Sequence, residues 1–200
     1  MPVLPRSFYD RPTLEVARDL LGKTLVRMTP GGGMALRIVE TEAYVGENDR
    51  ACHASKGMTD RNRVMFGEPG HAYVYFIYGM YHCLNLVTEC DGYPAAVLIR
   101  AGQPMYGMPD MAKRRKTTKP IEIASGPGKL CMALGIDRAL NGVDLCEKGP
   151  LYVEDGYTPS DIVTCPRIGV DYAGEHKDLP WRFYIRDNTC VSKIAPGDNL

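Results

Sequence analysis

The sequence predicts an α+β fold: a single domain with a curved, mostly antiparallel β-sheet, open-barrel or roll-like, and peripheral helices. Three observations lead there. Segments rich in aromatic and branched residues follow one another in hairpin order, and helix-like segments are few. The strand–helix–strand alternation of a parallel sheet does not occur. The 21 glycines and 15 prolines are spread along the chain, as many short elements joined by turns require. The 200 residues form one domain spanning 1–200, large enough to bury about 70% of its unfolded surface without staples.

Asp10-Arg11-Pro12 followed by the amphipathic Thr13–Leu21 predicts a first helix, with Gly22 as its stop. Lys23–Met28 and Met34–Tyr44 predict two strands around Pro30-Gly31-Gly32-Gly33, a long-hairpin signal. Asp49–Ser55 reads as a short helical turn and the polar Lys56–Gly70 as a loop. Ala72–Ile77, Tyr81–Thr88 and Ala95–Arg100 read as three further strands, and Pro104–Lys119 as a helix or mobile loop. Gly126–Leu134 fits a helix with Ser125 as N-cap, Pro127 in the first turn and Gly135 as the stop. Leu151–Glu154, Arg167–Val170 and Arg182–Ile185 read as short late strands.

Composition excludes several classes. Hydrophobic residues at 44% and charged residues at 24% match a globular chain and rule out disorder, collagen and coiled coil. Lys+Arg and Asp+Glu are equal at 24 each, which argues against affinity for nucleic acid by bulk charge but leaves room for a local basic patch. The seven cysteines have neither a disulfide framework nor a CxxC pair, and their spacing with the four histidines proposes no zinc site. The start, MPVLPRSFYDRP, has no apolar signal region, and no run approaches a membrane span. The expectation is a protein that is not secreted, reduced, and placed in the cytoplasm or nucleoid without membrane contact.

Four constellations could carry chemistry. In Glu40-Thr41-Glu42-Ala43-Tyr44, strand alternation puts Glu40, Glu42 and Tyr44 on one face. By spacing alone that is polar decoration of a solvent-facing strand. Beside a concave site, one of the carboxylates could activate a water. In Tyr73-Val74-Tyr75-Phe76-Ile77-Tyr78-Gly79-Met80-Tyr81, Tyr73 and Tyr75 share a face and Tyr78 sits where Gly79 ends the strand. Tyrosines reaching the surface from a core are the ordinary reading. An apolar wedge on a turn is the functional one, because exposed apolar clusters mark binding sites and a base stacked on an aromatic ring is worth about 1–3 kcal/mol. Arg61 and Arg63 lie on the polar loop, and Lys113, Arg114, Arg115, Lys116 and Lys119 form a basic block. Alone it is a solvated loop; near an aromatic wedge it is what phosphate contacts need. Ser125-Gly126-Pro127-Gly128-Lys129-Leu130 is not a P-loop, since Leu130 stands where Ser or Thr is required. A capped helix or a single phosphate held by its amides and Lys129 fits equally well. His53, Asn85 and Arg100 are polar singletons, each ordinarily a satisfied structural residue.

Together these segments resemble the alkyladenine (3-methyladenine, methylpurine) DNA glycosylase family. The resemblance is carried by RIVETEAYVG (Arg37–Gly46), Ala51-Cys52-His53, RNRVMF (Arg61–Phe66), PGHAYVYFIYGMYHCLN (Pro69–Asn85), AAVLIRA (Ala95–Ala101) and SGPGKLCMALGI (Ser125–Ile136). FYIR (Phe183–Arg186) matches more weakly, and the order is the family's over nearly the whole chain.

The resemblance implies a monofunctional base-excision-repair enzyme. It would flip alkylated purines (3-methyladenine, 7-methylguanine) and the deaminated purine hypoxanthine out of duplex DNA and hydrolyse the glycosidic bond, leaving an abasic site. It implies Glu42 as general base, and Tyr44, His53, Tyr75, Asn85, Leu98 and Arg100 as the base pocket. Tyr73 would support His53, and Asn85 would discriminate against the 2-amino group of guanine. Tyr78 would enter the groove and fill the gap left by the flipped nucleotide, with Met80 and Tyr81 on the same hairpin. Arg61, Arg63, Arg115 and Lys129 are the phosphate-contact candidates. No cofactor and no metal are implied, and a monomer is expected. Two alternatives stand: a non-catalytic lesion sensor on the same scaffold, against which the sequence sets the intact Glu42, and a free-nucleoside hydrolase, against which it sets Tyr78 and the basic loops.

Overall fold

The computed structural model describes residues 1–198. Among these, eight strands form one sheet: β1 (Thr24–Thr29), β2 (Gly32–Val45), β3 (Ala72–Ile77), β4 (Tyr81–Val87), β5 (Ala95–Tyr106), β6 (Leu151–Glu154), β7 (Ile162–Cys165) and β8 (Arg182–Ile185). The pairings are antiparallel in the order β3-β4-β5-β2-β1-β6, with β8 joining β2 beyond β1 and β7 outside β8. The sheet stays open rather than closing into a barrel. The helices are short: α1 (Arg6–Tyr9), α2 (Thr13–Asp19), α3 (Met108–Arg115), α4 (Pro120–Ile123) and α5 (Pro127–Leu134).

Period-two alternation divides the sheet into two faces. Ala72 and Val74 of β3, Leu84 and Leu86 of β4, and Val97, Ile99 and Ala101 of β5 pack with Leu130, Ala133 and Leu134 of α5 in the main core. Tyr73, Tyr75, Cys83, Asn85, Leu98 and Arg100 point to the other face. The register then lines up Tyr73, Asn85, Leu98, Glu42 and Arg182 in one row across β3, β4, β5, β2 and β8.

A double irregularity in the β2–β5 ladder decides which face the acids take. Register shifts between Ile38 and Glu40 and between Glu40 and Thr41 leave Val39 and Arg100 without ladder partners. A bulge re-aims the side chains beyond it. Before it, Met34, Leu36 and Ile38 enter the core; after it, Val39 and Ala43 do. Thr41 shares their face and donates its hydroxyl to Ala17 O of α2 at 2.7 Å. Glu40, Glu42 and Tyr44 are thereby turned to the face that carries Arg100.

Several boundaries differ from expectation. The first hairpin is tight: Thr29 pairs with Gly32, so only Pro30-Gly31 form the turn and the other glycines join β2. β5 runs on to Tyr106, through Pro104 at an irregular register, and Gly107 (φ 74) turns the chain into α3. Ser125 does not cap α5; it bridges Ala101, and Gly126 occupies the cap position without a side-chain bond. The Asp49–Ser55 turn has its 3₁₀ helix displaced to His53–Lys56, and the expected loop Lys56–Gly70 contains another at Arg63–Phe66. Arg167–Val170 is not a strand. Its place is taken by β7, because the Arg167 side chain turns inward to a carboxylate and the Ile168 N–H goes to a carboxylate instead of a ladder.

Candidate active site

A cavity of about 540 Å³ opens on the face opposite the core. Its walls are aromatic. Tyr75 packs edge-on to His53 with ring centres 4.5 Å apart, and Tyr73 lies 5.4 Å from Tyr75. His53 Nδ1 meets the Tyr73 hydroxyl at 2.9 Å. Burial, with the Arg61 charge adding to it, pushes the His53 pKa down to about 4, while burial raises the Tyr73 phenol to about 12. Near neutral pH the pair is therefore an uncharged imidazole and an intact phenol. The phenol can donate to Nδ1, which leaves the imidazole proton on Nε2. Burial also raises the Tyr75 phenol well above its ordinary range, so this wall stays neutral. Arg61 lies 5.2 Å from the Tyr75 ring centre and donates to Phe76 O.

Glu42 lies beneath the floor. Its Oε2 accepts from the Tyr44 hydroxyl at 2.9 Å and from Arg100 Nη1 at 3.2 Å, and its Oε1 from the Ile168 N–H at 2.7 Å. Each of these groups is a donor, which suits an ionised carboxylate. Glu42 is fully buried and does not itself line the cavity; Tyr44, Arg100 and Ile168, which hold it, do. Glu40 lies one step deeper, accepting from Arg100 Nε at 3.0 Å, Arg182 Nη1 at 2.7 Å, Ser192 Oγ at 2.9 Å and Ser192 N–H at 2.6 Å. Burial works against the Arg100 charge, but Glu42 and Glu40 outweigh it and raise its pKa. The two acids are thus caged by two arginines and are not surface decoration.

The mouth is built differently. In the β3–β4 hairpin Ile77 pairs with Tyr81, and Tyr78 (φ 54) and Gly79 (φ 67) both take left-handed conformations. For a tyrosine this costs about 1–2 kcal/mol. The strained residue is also 78% exposed, beside Met80 and Phe76, which are exposed too. Backbone strain of this kind clusters at functional sites, and exposed apolar groups cluster at binding surfaces. At the opposite wall α5 begins against Tyr81: a Cβ on Gly128 would stand 3.1 Å from that ring, so any larger residue there would have to push Tyr81 aside by a few tenths of an ångström.

The sequence-derived residues meet here to a large extent. Tyr44, His53, Tyr73, Tyr75, Asn85, Leu98 and Arg100 line the cavity, and Tyr78, Tyr81, Arg115 and Lys129 stand around it. Asn85 donates its amide to Tyr73 O at 3.2 Å. Arg115 is half-committed, donating Nε to Ile123 O, whereas Lys129 is exposed. Met80 lies on the hairpin outside the cavity, and Arg63, paired with Asp60 in solvent, also lies outside it. Sequence reading missed the wall made by Ile168, Gly169, Val170 and Tyr172, as well as Cys83 beside Tyr75. It also missed Arg182, Ser192 and the Arg167–Asp49 pair behind the floor. Among the described residues, no group of three or more His, Cys, Asp or Glu side chains could hold a metal, and no helix is long and apolar enough to cross a membrane.

Residues 7–189 match the family model described as methylpurine-DNA glycosylase. A protein of Methanocella arvoryzae is 74% identical over 199 residues, covering 99% of this chain and 100% of its own. One from Alkaliphilus oremlandii is 53% identical, covering 95% of this chain and 98% of its own. One from Myxococcus xanthus is 51% identical, covering 96% and 95%. Each is named, provisionally, as a 3-methyladenine DNA glycosylase.

Proposed function

The chain belongs to the methylpurine-DNA glycosylase family, and from that premise we propose that it flips damaged purines out of duplex DNA and hydrolyses their glycosidic bond with Glu42 as general base. The products would be the free base and an abasic site, and the substrates 3-methyladenine, 7-methylguanine and hypoxanthine. On this reading it acts as a monomer, without cofactor, on DNA in the cytoplasm or nucleoid.

The observation that carries the reading is the Glu42 cage beneath an aromatic-walled cavity of about 540 Å³. An ionised carboxylate offers about four acceptor positions, and among the described residues three are filled. The remaining one can take a proton from water. Bond cleavage builds oxocarbenium character on the sugar, which the same negative charge stabilises. The sugar carbon is out of reach inside a stacked duplex, so extrusion must come first. Tyr78, held outward, can replace the lost stacking. 3-Methyladenine and 7-methylguanine carry positive charge in the nucleoside. They stack on Tyr75 and its neighbours by cation–π attraction and leave without prior protonation, so one carboxylate suffices for them, whereas the neutral hypoxanthine must take up a proton as its bond breaks.

The full burial of Glu42 favours the second reading, a lesion binder that performs no chemistry. Base release distinguishes the two. The native protein and Glu42→Gln are compared on dimethyl-sulfate-treated duplex and on a duplex containing hypoxanthine. Release by the native protein alone supports the proposal; release by both removes Glu42 as the base; tight binding without release by either leaves the sensor.

A further inference from the structure

The donors on Glu42 come from separate pieces of chain, and two of them share a support that lies outside the cavity. Arg167 immediately precedes Ile168, whose N–H meets Glu42, and its guanidinium sits 4.9 Å from the ring centre of Tyr44, whose hydroxyl also meets Glu42. That guanidinium forms a fork with Asp49: Nη1 to Oδ2 at 2.6 Å and Nη2 to Oδ1 at 2.9 Å, with both side chains fully buried. Nη1 also donates to Ala43 O, between Glu42 and Tyr44, and Nη2 to His176 O. Trp181 closes the other side at 4.9 Å. Asp49 in turn accepts the N–H groups of Val45 and Ala51, so one carboxylate ties β2, the turn that carries His53, and the 166–170 wall together.

We infer that Asp49 and Arg167 are a positioning pair for the reaction, setting the Ile168 amide and the Tyr44 hydroxyl onto Glu42. The inference rests on Glu42 being the base. A buried ion pair is a weak device for stability, since apolar residues of similar volume serve as well. It is a strong device for geometry, because the planar fork fixes direction and a lysine cannot reproduce it. The ionisable groups on Glu42 itself are Tyr44 and Arg100, with Glu40 behind Arg100. His176 faces Asp49 at 3.7 Å. Loosening the pair removes a donor from the charged form of Glu42 while Arg100 stays in place.

The test uses the full chain and dimethyl-sulfate-treated duplex, with enzyme in excess. Arg167→Lys keeps the charge and loses the fork. In Asp49→Asn/Arg167→Met no charge is left unpaired, and the asparagine oxygen keeps the Ala51 N–H while its amide nitrogen replaces the oxygen that takes the Val45 N–H. Both variants are expected to release base about 10–100-fold more slowly per folded molecule, with lesion-duplex affinity unchanged. The acid limb of their rate–pH profile moves to higher pH, because a carboxylate with fewer donors protonates more readily. A merely structural role would lower the unfolding midpoint but leave the rate per folded molecule and the profile at native values; that result in either variant overturns the inference. Glu42→Gln is run alongside. Native-rate release there defeats the base assignment and this inference together. Loss there, with native rates in the pair variants, defeats this inference alone.

Discussion

The floor and the mouth of the cavity follow opposite rules. Glu40 and Glu42 are fully buried and every hydrogen bond reaching them comes from a fixed donor, whereas Tyr78, Tyr172 and Met80 are 78%, 71% and 63% exposed. The floor is over-determined: removing one donor leaves others in place, but the cost of an unpaired buried charge is high. The mouth is under-determined and strained, as a surface is when its partner lies outside the protein. On the proposed function the difference puts chemistry and DNA engagement on separable parts, and substitutions should split accordingly.

The sharpest split comes from Glu42→Gln. Loss of a general base costs about 10²–10⁴-fold, read in single-turnover base release, while lesion-duplex affinity stays at the native level. Arg182→Met strikes the floor without touching the cavity. It takes one charged partner from Glu40, which keeps Arg100 and Ser192, and should lower unfolding free energy by about 1.5–3 kcal/mol, measured by urea denaturation, with the rate per folded molecule preserved.

A pH series probes the wall between the two regions. His53 titrates at about 4 when folded and near 6.5 when unfolded. The unfolded chain therefore binds the extra proton first as pH falls. Stability is unaffected above about pH 6.5 and is lost between there and pH 4, by at most about 3 kcal/mol. His53→Gln should flatten that part of the thermal-midpoint curve; an unchanged slope would show that the imidazole is not held neutral.

Tyr78→Ala should cost about 1–3 kcal/mol of lesion-duplex binding while leaving the unfolding midpoint near the native value, since the side chain is exposed and alanine keeps the same left-handed backbone cost. The smallest effect is expected from Lys129→Ala. It should weaken binding uniformly across sequences and reduce the salt slope by about one; an unchanged slope would remove it from the phosphate contacts.

Much of this was legible in the sequence because period two is a strong signal. Tyr73 with Tyr75, and Glu40 with Glu42 and Tyr44, share a face as expected, and Tyr78-Gly79 form the exposed turn. What alternation could not give was which face. That depends on the irregularity that leaves Val39 and Arg100 unpaired in the ladder, and one skipped residue on each strand leaves no trace in composition. The far wall stayed hidden for another reason: Ile168 acts through its backbone N–H, and Arg167 through a partner 118 positions away. Arg182 stands in a strand-like run and looks like any polar strand residue until Glu40 is placed beside it.

The division between floor and mouth is tested most directly by measuring single-turnover base release and lesion-duplex affinity on the same preparations of Glu42→Gln and Tyr78→Ala. Opposite patterns are expected: Glu42→Gln binds at native affinity and releases no base, while Tyr78→Ala binds weakly yet releases base at the native rate from a lesion that is already unpaired. If rate and affinity fall together in both variants, floor and mouth act as one unit and the division is wrong.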